Sequence, residues 1–206
     1  MACERARAAV FLLALVAIGI AGASSAGETV ALVRFDPAHT VVGFRLAGGL
    51  HDTHGAFVLK EGSLRIDRSS ATADGLVVVD AASGDSGNSS RDARMRDSVL
   101  EATKYPEIRF RPARVDGSLT PDGSFNGEMH GTLTLHGADH PVTARVEGRV
   151  AGDAWTATCR FTVPYVAWGL SDPSMLFLTV AKEVEIEVRA TGDVRWIDAN
   201  PKGAKT

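Results

Sequence analysis

Ala82 leads through Gly84-Asp85-Ser86-Gly87-Asn88 into Arg91-Asp92-Ala93-Arg94-Met95-Arg96-Asp97-Ser98-Val99-Leu100, and then to Tyr105-Pro106-Glu107-Ile108-Arg109-Phe110. This is the one helix-like insertion in a chain otherwise patterned for strands. On both sides of it apolar and polar residues alternate with a period near two, as half-buried antiparallel strands require. One short helix hung on an all-β frame points to a closed or nearly closed barrel whose interior does the work. The helix is expected near 90–102. Ser89 or Ser90 caps it, Asp92 sits favourably in its first turn and Pro106 enforces its stop. Met95, Val99 and Leu100 give it an apolar stripe that lies across a barrel end, as a plug of the core or as a ligand gate.

Working outward, the strands read by parity. Val42, Phe44 and Leu46 share one face, as do Gly55, Phe57 and Leu59, and Leu64 and Ile66. Ile108 and Phe110 alternate with Arg109 and Arg111. Met129, Gly131, Leu133 and Leu135 alternate with His130, Thr132, Thr134 and His136. Val142, Ala144, Val146 and Val150 form another face. Trp155, Ala157, Cys159, Phe161 and Val163 alternate with polar neighbours, and Val184, Ile186 and Val188 stand against Glu183, Glu185, Glu187 and Arg189. Turn chemistry at Glu61-Gly62, Asp74-Gly75, Pro121-Asp122-Gly123, His136-Gly137 and Gly152-Asp153 separates the runs. Nine or ten short strands of this kind make an antiparallel barrel or sandwich. A strand–helix–strand rhythm is missing, which argues against a parallel sheet.

The ends carry different signals. Arg5 and Arg7 precede an apolar run from Ala8 to Ile20 and small residues through Ala26, the pattern of a secretory signal peptide cut after Ala23 or Ala26. That run is shorter than the roughly 20 residues needed to span a bilayer. Residues 1–26 are therefore read as a signal peptide, 27–198 as one domain and 199–206 as a frayed tail. The product is expected to be periplasmic or secreted. Loss of Glu4, Arg5 and Arg7 moves the net charge from −3 to −4. Mild acidity without a basic cluster argues against nucleic acid as a partner. Cys159 is then alone, so the domain relies on its core rather than on a disulfide.

In order along the chain stand Phe35-Asp36-Pro37-Ala38-His39-Thr40-Val41-Val42-Gly43-Phe44, His54-Gly55-Ala56-Phe57, Asn88-Ser89-Ser90-Arg91-Asp92, and Lys104-Tyr105-Pro106-Glu107-Ile108-Arg109-Phe110. Gly131-Thr132-Leu133-Thr134-Leu135-His136-Gly137 and Pro141-Val142 follow. This series resembles the YceI-like family of exported, lipocalin-like bacterial proteins over nearly all of residues 31–192. The resemblance implies an extended eight-stranded antiparallel barrel, or one with slightly more strands, enclosing a polyisoprenoid, an isoprenoid quinone or a similar amphiphile. It weakens at Val163–Ser174, where many relatives carry an Asn-Arg-Ser-Asp-Phe-Gly-like segment. Partners compatible with it are an amphiphilic lipid, transient contact with a membrane or a membrane b-type cytochrome, and a second copy of the chain. No cofactor other than a bound lipid is implied.

An eight-stranded barrel is either filled by its own side chains or holds one ligand. Gly55, Gly131, Ala144 and Ala157 on the inward face leave room, which favours a cavity. The expected wall is Phe44, Phe57, Phe110, Leu133, Leu135, Phe161 and Val163, each of which also reads as ordinary core. Tyr165, Trp168, Met175 and Phe177 lie in a Pro- and Gly-punctuated loop and read as a lipid portal or a satellite core. Headgroup candidates are His51, His54, Arg91 and Lys182, although the lysine reads first as a strand-end residue that snorkels into water.

The histidines do not make a metal set. His51 and His54 fall on opposite strand faces unless His51 lies in the turn, and His136 and His140 could approach across a hairpin, but neither pair gains a Cys or carboxylate cluster. Gly84-Asp85-Ser86-Gly87 reproduces most of a serine-protease nucleophile signature, yet nothing supplies the base, and a serine without its histidine is inert. No catalytic residues are assigned, and the chain is read as a carrier rather than an enzyme. The competing class is a redox or stress accessory, or an enzyme acting on an isoprenoid.

Overall fold

The computed structural model describes residues 29–49, 51–174 and 179–198. Among them run nine strands: β1 (Val30–Phe35), β2 (Val41–Leu46), β3 (Thr53–Asp67), β4 (Thr72–Asp80), β5 (Glu107–Leu119), β6 (Ser124–Leu135), β7 (Ala138–Ala151), β8 (Ala154–Val163) and β9 (Val184–Ile197). All pairings are antiparallel, and the sheet closes on itself. β3 through β9 pair in sequence order, and β1 and β2 stand end to end between β3 and β9. Nine strands therefore make eight staves. Closure removes the free sheet edges that an open β-structure must protect.

The break in the first stave has a local cause. Pro37 has no N–H to give to a ladder. Asp36 Oδ1 accepts from the Ala38 N–H at 2.9 Å and Oδ2 bonds His39 Nδ1 at 2.7 Å, which folds the chain into a short turn before Val41. The β6–β7 connection is a two-residue turn in which His136 (φ 52°) and Gly137 (φ 77°) are both left-handed, the geometry that matches strand twist.

Short turns at 68–71, 120–123 and 152–153 gather at one end of the barrel, here the hairpin end. The long connections 47–52, 81–106 and 164–183 gather at the other, the helix end. There β3 outruns its pairing with β4, which begins at Leu59–Val79. The chain after β4 patches the wall: Ala56 and Asp85 exchange backbone hydrogen bonds at 2.9 and 3.0 Å, and the Val58 N–H donates to Ser83 Oγ at 2.8 Å.

The helix that follows, α1 (Ser89–Arg94), continues as a π-turn over Met95–Val99, shorter than the expected 90–102. Its cap is Asn88, whose Oδ1 accepts from the Arg91 N–H at 3.0 Å, not Ser89 or Ser90. Asn, Ser and Asp are near-equal caps, so nothing local ranks either serine above the asparagine just before them. Nor does Pro106 stop the helix. Glu101 does, at φ 46°, with its carbonyl accepting from the N–H groups of Lys104 and Tyr105.

Three apolar clusters line the barrel. One at the helix end holds Leu100, Leu133, Leu135, Val142, Val163, Tyr165 and Leu170, with Met95 and Val99 packed on it. One at the hairpin end centres on Ala31, Trp155, Ala190 and Val194, and a third on Val42, Leu59 and Val79 lies between them.

Candidate functional site

The clusters do not meet in the middle. They surround a cavity of about 1200 Å³ that runs the length of the barrel. Side chains alternate across a strand, so one parity of every stave faces this space. Between the two rims the wall is aliphatic, aromatic or glycine, with Thr53 and Cys159 the polar exceptions and no charged residue. The Cys159 thiol is pushed up to about 12 by burial, so it stays protonated and behaves as a small apolar group. Such a wall offers contact area and almost no hydrogen bonds.

Phe44, Phe57, Phe110, Leu133, Leu135, Phe161, Val163 and Tyr165 all touch the cavity. Phe44 and Phe57 pack with ring centroids 5.4 Å apart. Trp168 does not reach it. Its indole stacks on the His140 ring at 4.0 Å with 4° between the planes, as part of the cover over the helix end. Met175 and Phe177 lie outside the described residues.

Two of the small wall residues do something other than leave room. A Cβ on Gly55 would run into the Phe44 ring, and one on Gly131 into the Phe110 ring. Each glycine lets a neighbouring strand's phenylalanine lie flat against the wall, so the cavity stays wide by storing its rings over the glycines. Gly62 does the same for Phe35. Ala144 and Ala157 do face open space.

At the helix end Met95, Val99 and Leu100 present their apolar stripe to the cavity, and Ser86, Ser90, Arg91 and Arg94 form a polar rim beside it. The rim is braced internally. Ser86 Oγ donates to the Asp92 carboxylate, Arg91 Nε donates to Ser86 Oγ at 2.7 Å, and an Arg91 Nη donates to the Ser86 carbonyl at 2.8 Å. Ser86 Oγ is thus a saturated bracket of the loop, with no histidine beside it. The Ser86 hydroxyl bond also holds Asp92 below the usual carboxylate range.

Also at the helix end, the described parts of the β8–β9 connection, 164–174 and 179–183, form a strap. Tyr165 is buried, and its hydroxyl donates to the Ala181 carbonyl at 2.8 Å. Burial, with Asp172 nearby, raises its phenol. Lys182 pairs with Asp172, whose carboxyl this bond holds down to about 2. Gly49 donates to the Thr179 carbonyl and Ala181 to the Ala47 carbonyl, which ties the strap to the chain after β2. Lys182 lies ahead of β9 and is exposed, so it is a strap anchor and does not enter the cavity.

The other headgroup candidates separate. Arg91 is on the rim, whereas His51 and His54 are exposed and away from the cavity. His136 pairs with Glu101 at 3.3 Å and packs on Tyr105, and His140 stacks on Trp168, so the two do not face each other across their hairpin. No cluster able to hold a metal ion occurs among the described residues.

Sequence reading left the hairpin end without candidates. Phe35, Trp155 and Trp196 line the cavity there. Phe35 meets the edge of Trp155 at 4.8 Å, and Trp155 Nε1 donates to the carbonyls of Arg34 and Asp193. Trp155 carried a parity signal. β1 did not, because Val30-Ala31-Leu32-Val33 is apolar on both faces.

A model of the YceI-like domain matches residues 34–192. Several solved structures share the fold. BcnA of Burkholderia cenocepacia superposes with a TM-score of 0.62 at 21% identity, over 77% of this chain and 99% of that one. A polyisoprenoid binding domain from Saccharophagus degradans gives 0.64 at 17% identity, over 79% and 98%. The Campylobacter jejuni YCEI protein gives 0.52 at 17%, over 68% and 80%. At these identities the likeness is one of fold. No curated protein matches the chain in sequence.

Proposed function

The chain belongs to the YceI-like family, and from that premise we propose that it is a non-catalytic carrier of a long apolar lipid of the polyisoprenoid or isoprenoid-quinone kind. The observation that carries this reading is the cavity itself, about 1200 Å³ with no charge on its wall between the rims. That volume exceeds the roughly 300–1,000 Å³ of ordinary small-molecule pockets. β3 has 15 residues, and at about 3.3 Å per residue and a tilt near 40° the barrel is about 35 Å long. An ordinary acyl tail fills half of a hydrocarbon core about 30 Å thick, so it would occupy less than half of this length. A longer chain uses the space better. Each methylene-sized group withdrawn from water contributes about 0.8 kcal/mol, so binding needs no specific polar contact along the tail.

The polyisoprenoid-binding neighbour in fold supports the ligand class. The basic head and apolar run at Arg5–Ile20 support export to the periplasm, with residues 27–198 as the working unit and transient membrane contact when the lipid is exchanged. No helix among the described residues is long and apolar enough to cross a membrane.

Titration with a long-chain polyprenol, followed by tryptophan fluorescence, tests the reading. Saturable uptake of one chain per protein is expected, together with its loss in Ala144→Phe, which fills the cavity from β7. No uptake, or uptake that the filled variant retains, rejects it.

A further inference from the structure

The hairpin end of the barrel ought to be a floor if the protein is a cup. It has the short turns, and it carries the aromatic trio Phe35, Trp155 and Trp196. Yet five solvent-exposed residues of this end, Arg68, Ser69, Ser118, Arg149 and Thr156, touch the same continuous cavity that Ser90, Arg91 and Arg94 touch at the helix end. They come from three separate places on the rim: the β3–β4 turn, the end of β5, and the two sides of the β7–β8 hairpin. A sealed floor would bring only buried side chains to the cavity at this level.

Phe35, Trp155 and Trp196 are grouped on one arc. Phe35 lies over Gly62 of β3 and against Trp155 of β8, so the rings follow the arc β3–β1–β9–β8. On the facing arc Phe125 of β6 lies over Gly117, as the other rings lie over their glycines, and Gly148 has no side chain to close the bore. The rim is finished in a way that suits a boundary with water. The Arg68 guanidinium stands 5.4 Å from the Trp196 ring, a cation over the last aromatic of the wall.

We infer that the cavity is a tunnel with two mouths, and that an apolar chain enters or leaves by the hairpin end as well as by the helix end. This rests on the lipid-carrier reading and extends it. A chain longer than the barrel is accommodated, with the emerging part exposed at about 0.8 kcal/mol per methylene-sized group. Loading at one face and unloading at the other then need no reversal of the ligand.

The test blocks each mouth separately after folding. Ser90→Cys and Ser118→Cys, alone and together in a Cys159→Ala background of the chain from residue 27, are modified with a bulky maleimide, and uptake of a long-chain polyprenol is followed. Both substituted serines are exposed, and modification follows folding, so loss of structure does not confuse the result. Two mouths predict that either single block slows uptake by less than about tenfold while the double block abolishes it. If one single block abolishes uptake and the other leaves it unchanged, the barrel is a cup and the inference falls. If uptake survives the double block, the chain does not use these mouths and the inference falls equally. If the unmodified protein takes up no polyprenol, the carrier reading itself fails, an outcome distinct from both.

Discussion

The hydroxyl of Tyr165 reaches the carbonyl of Ala181 at 2.8 Å, which ties the first turn of the β8–β9 connection to its last residues. This bond, the Asp172–Lys182 pair and the backbone bonds to residues 47–49 hold the strap across the helix end. Removing the hydroxyl leaves the packing of the ring in place and leaves a carbonyl short of one donor. Tyr165→Phe should lower stability by about 1 kcal/mol and release a bound polyprenol faster. Thermal melts and dissociation kinetics on the same variant check both. Unchanged release would show that the strap does not guard the exit.

The ion pair in the strap has an acid limit. Asp172 is held down to about 2 from an ordinary value of 3.8. A carboxyl depressed in the folded state contributes stability that is present above its unfolded value and lost as pH falls toward the folded one. Release should therefore be flat from pH 8 to 5 and accelerate only below about pH 4. Asp172→Asn should show the fast release at neutral pH, with no further acid dependence from this site. A release profile that steps between pH 5 and 8 would point to other groups.

Phe110 and Gly131 should behave as one unit. A methyl group on Gly131 meets the Phe110 ring and also the Arg111 carbonyl, so Gly131→Ala pushes the ring into the bore. Overpacking of this sort costs about 1–3 kcal/mol. Phe110→Leu in the same chain should recover part of that loss and part of the binding, an interaction that a double-mutant cycle reads directly. Strict additivity would mean that the ring is not what the glycine accommodates.

Cys159 gives an internal reporter. Its thiol faces the cavity, and burial pushes it up to about 12, so little thiolate exists at neutral pH. In the chain from residue 27, modification by a small thiol reagent should be slow, and slower still when polyprenol is bound. Rapid labelling that ignores the ligand would place the thiol outside the occupied space.

The staves were legible because each carries its own period of two. Val42-Phe44-Leu46, Phe57-Leu59 and Phe161-Val163 announce their inward face within a few residues, and all of them line the cavity. What remained hidden depends on contacts between distant parts of the chain. Nothing local says that Phe44 lies over Gly55, or that the room the glycine leaves is taken. Trp168 sits in a loop without a period, and only the fold shows that its partner is His140. The hairpin-end rim is one or two residues each from the β3–β4 turn and the ends of β5, β7 and β8, each unremarkable alone. Arg68 gains meaning only beside Trp196 at the far end of the chain.

The central claim is that the barrel holds a long apolar chain, and the mass of the intact protein as purified tests it most directly. Native mass spectrometry, with organic extraction of the same sample, should find one isoprenoid-type lipid per chain, displaced by added polyprenol and absent from Ala144→Phe. A protein that comes out empty in repeated preparations, and stays empty when polyprenol is offered, would contradict the account.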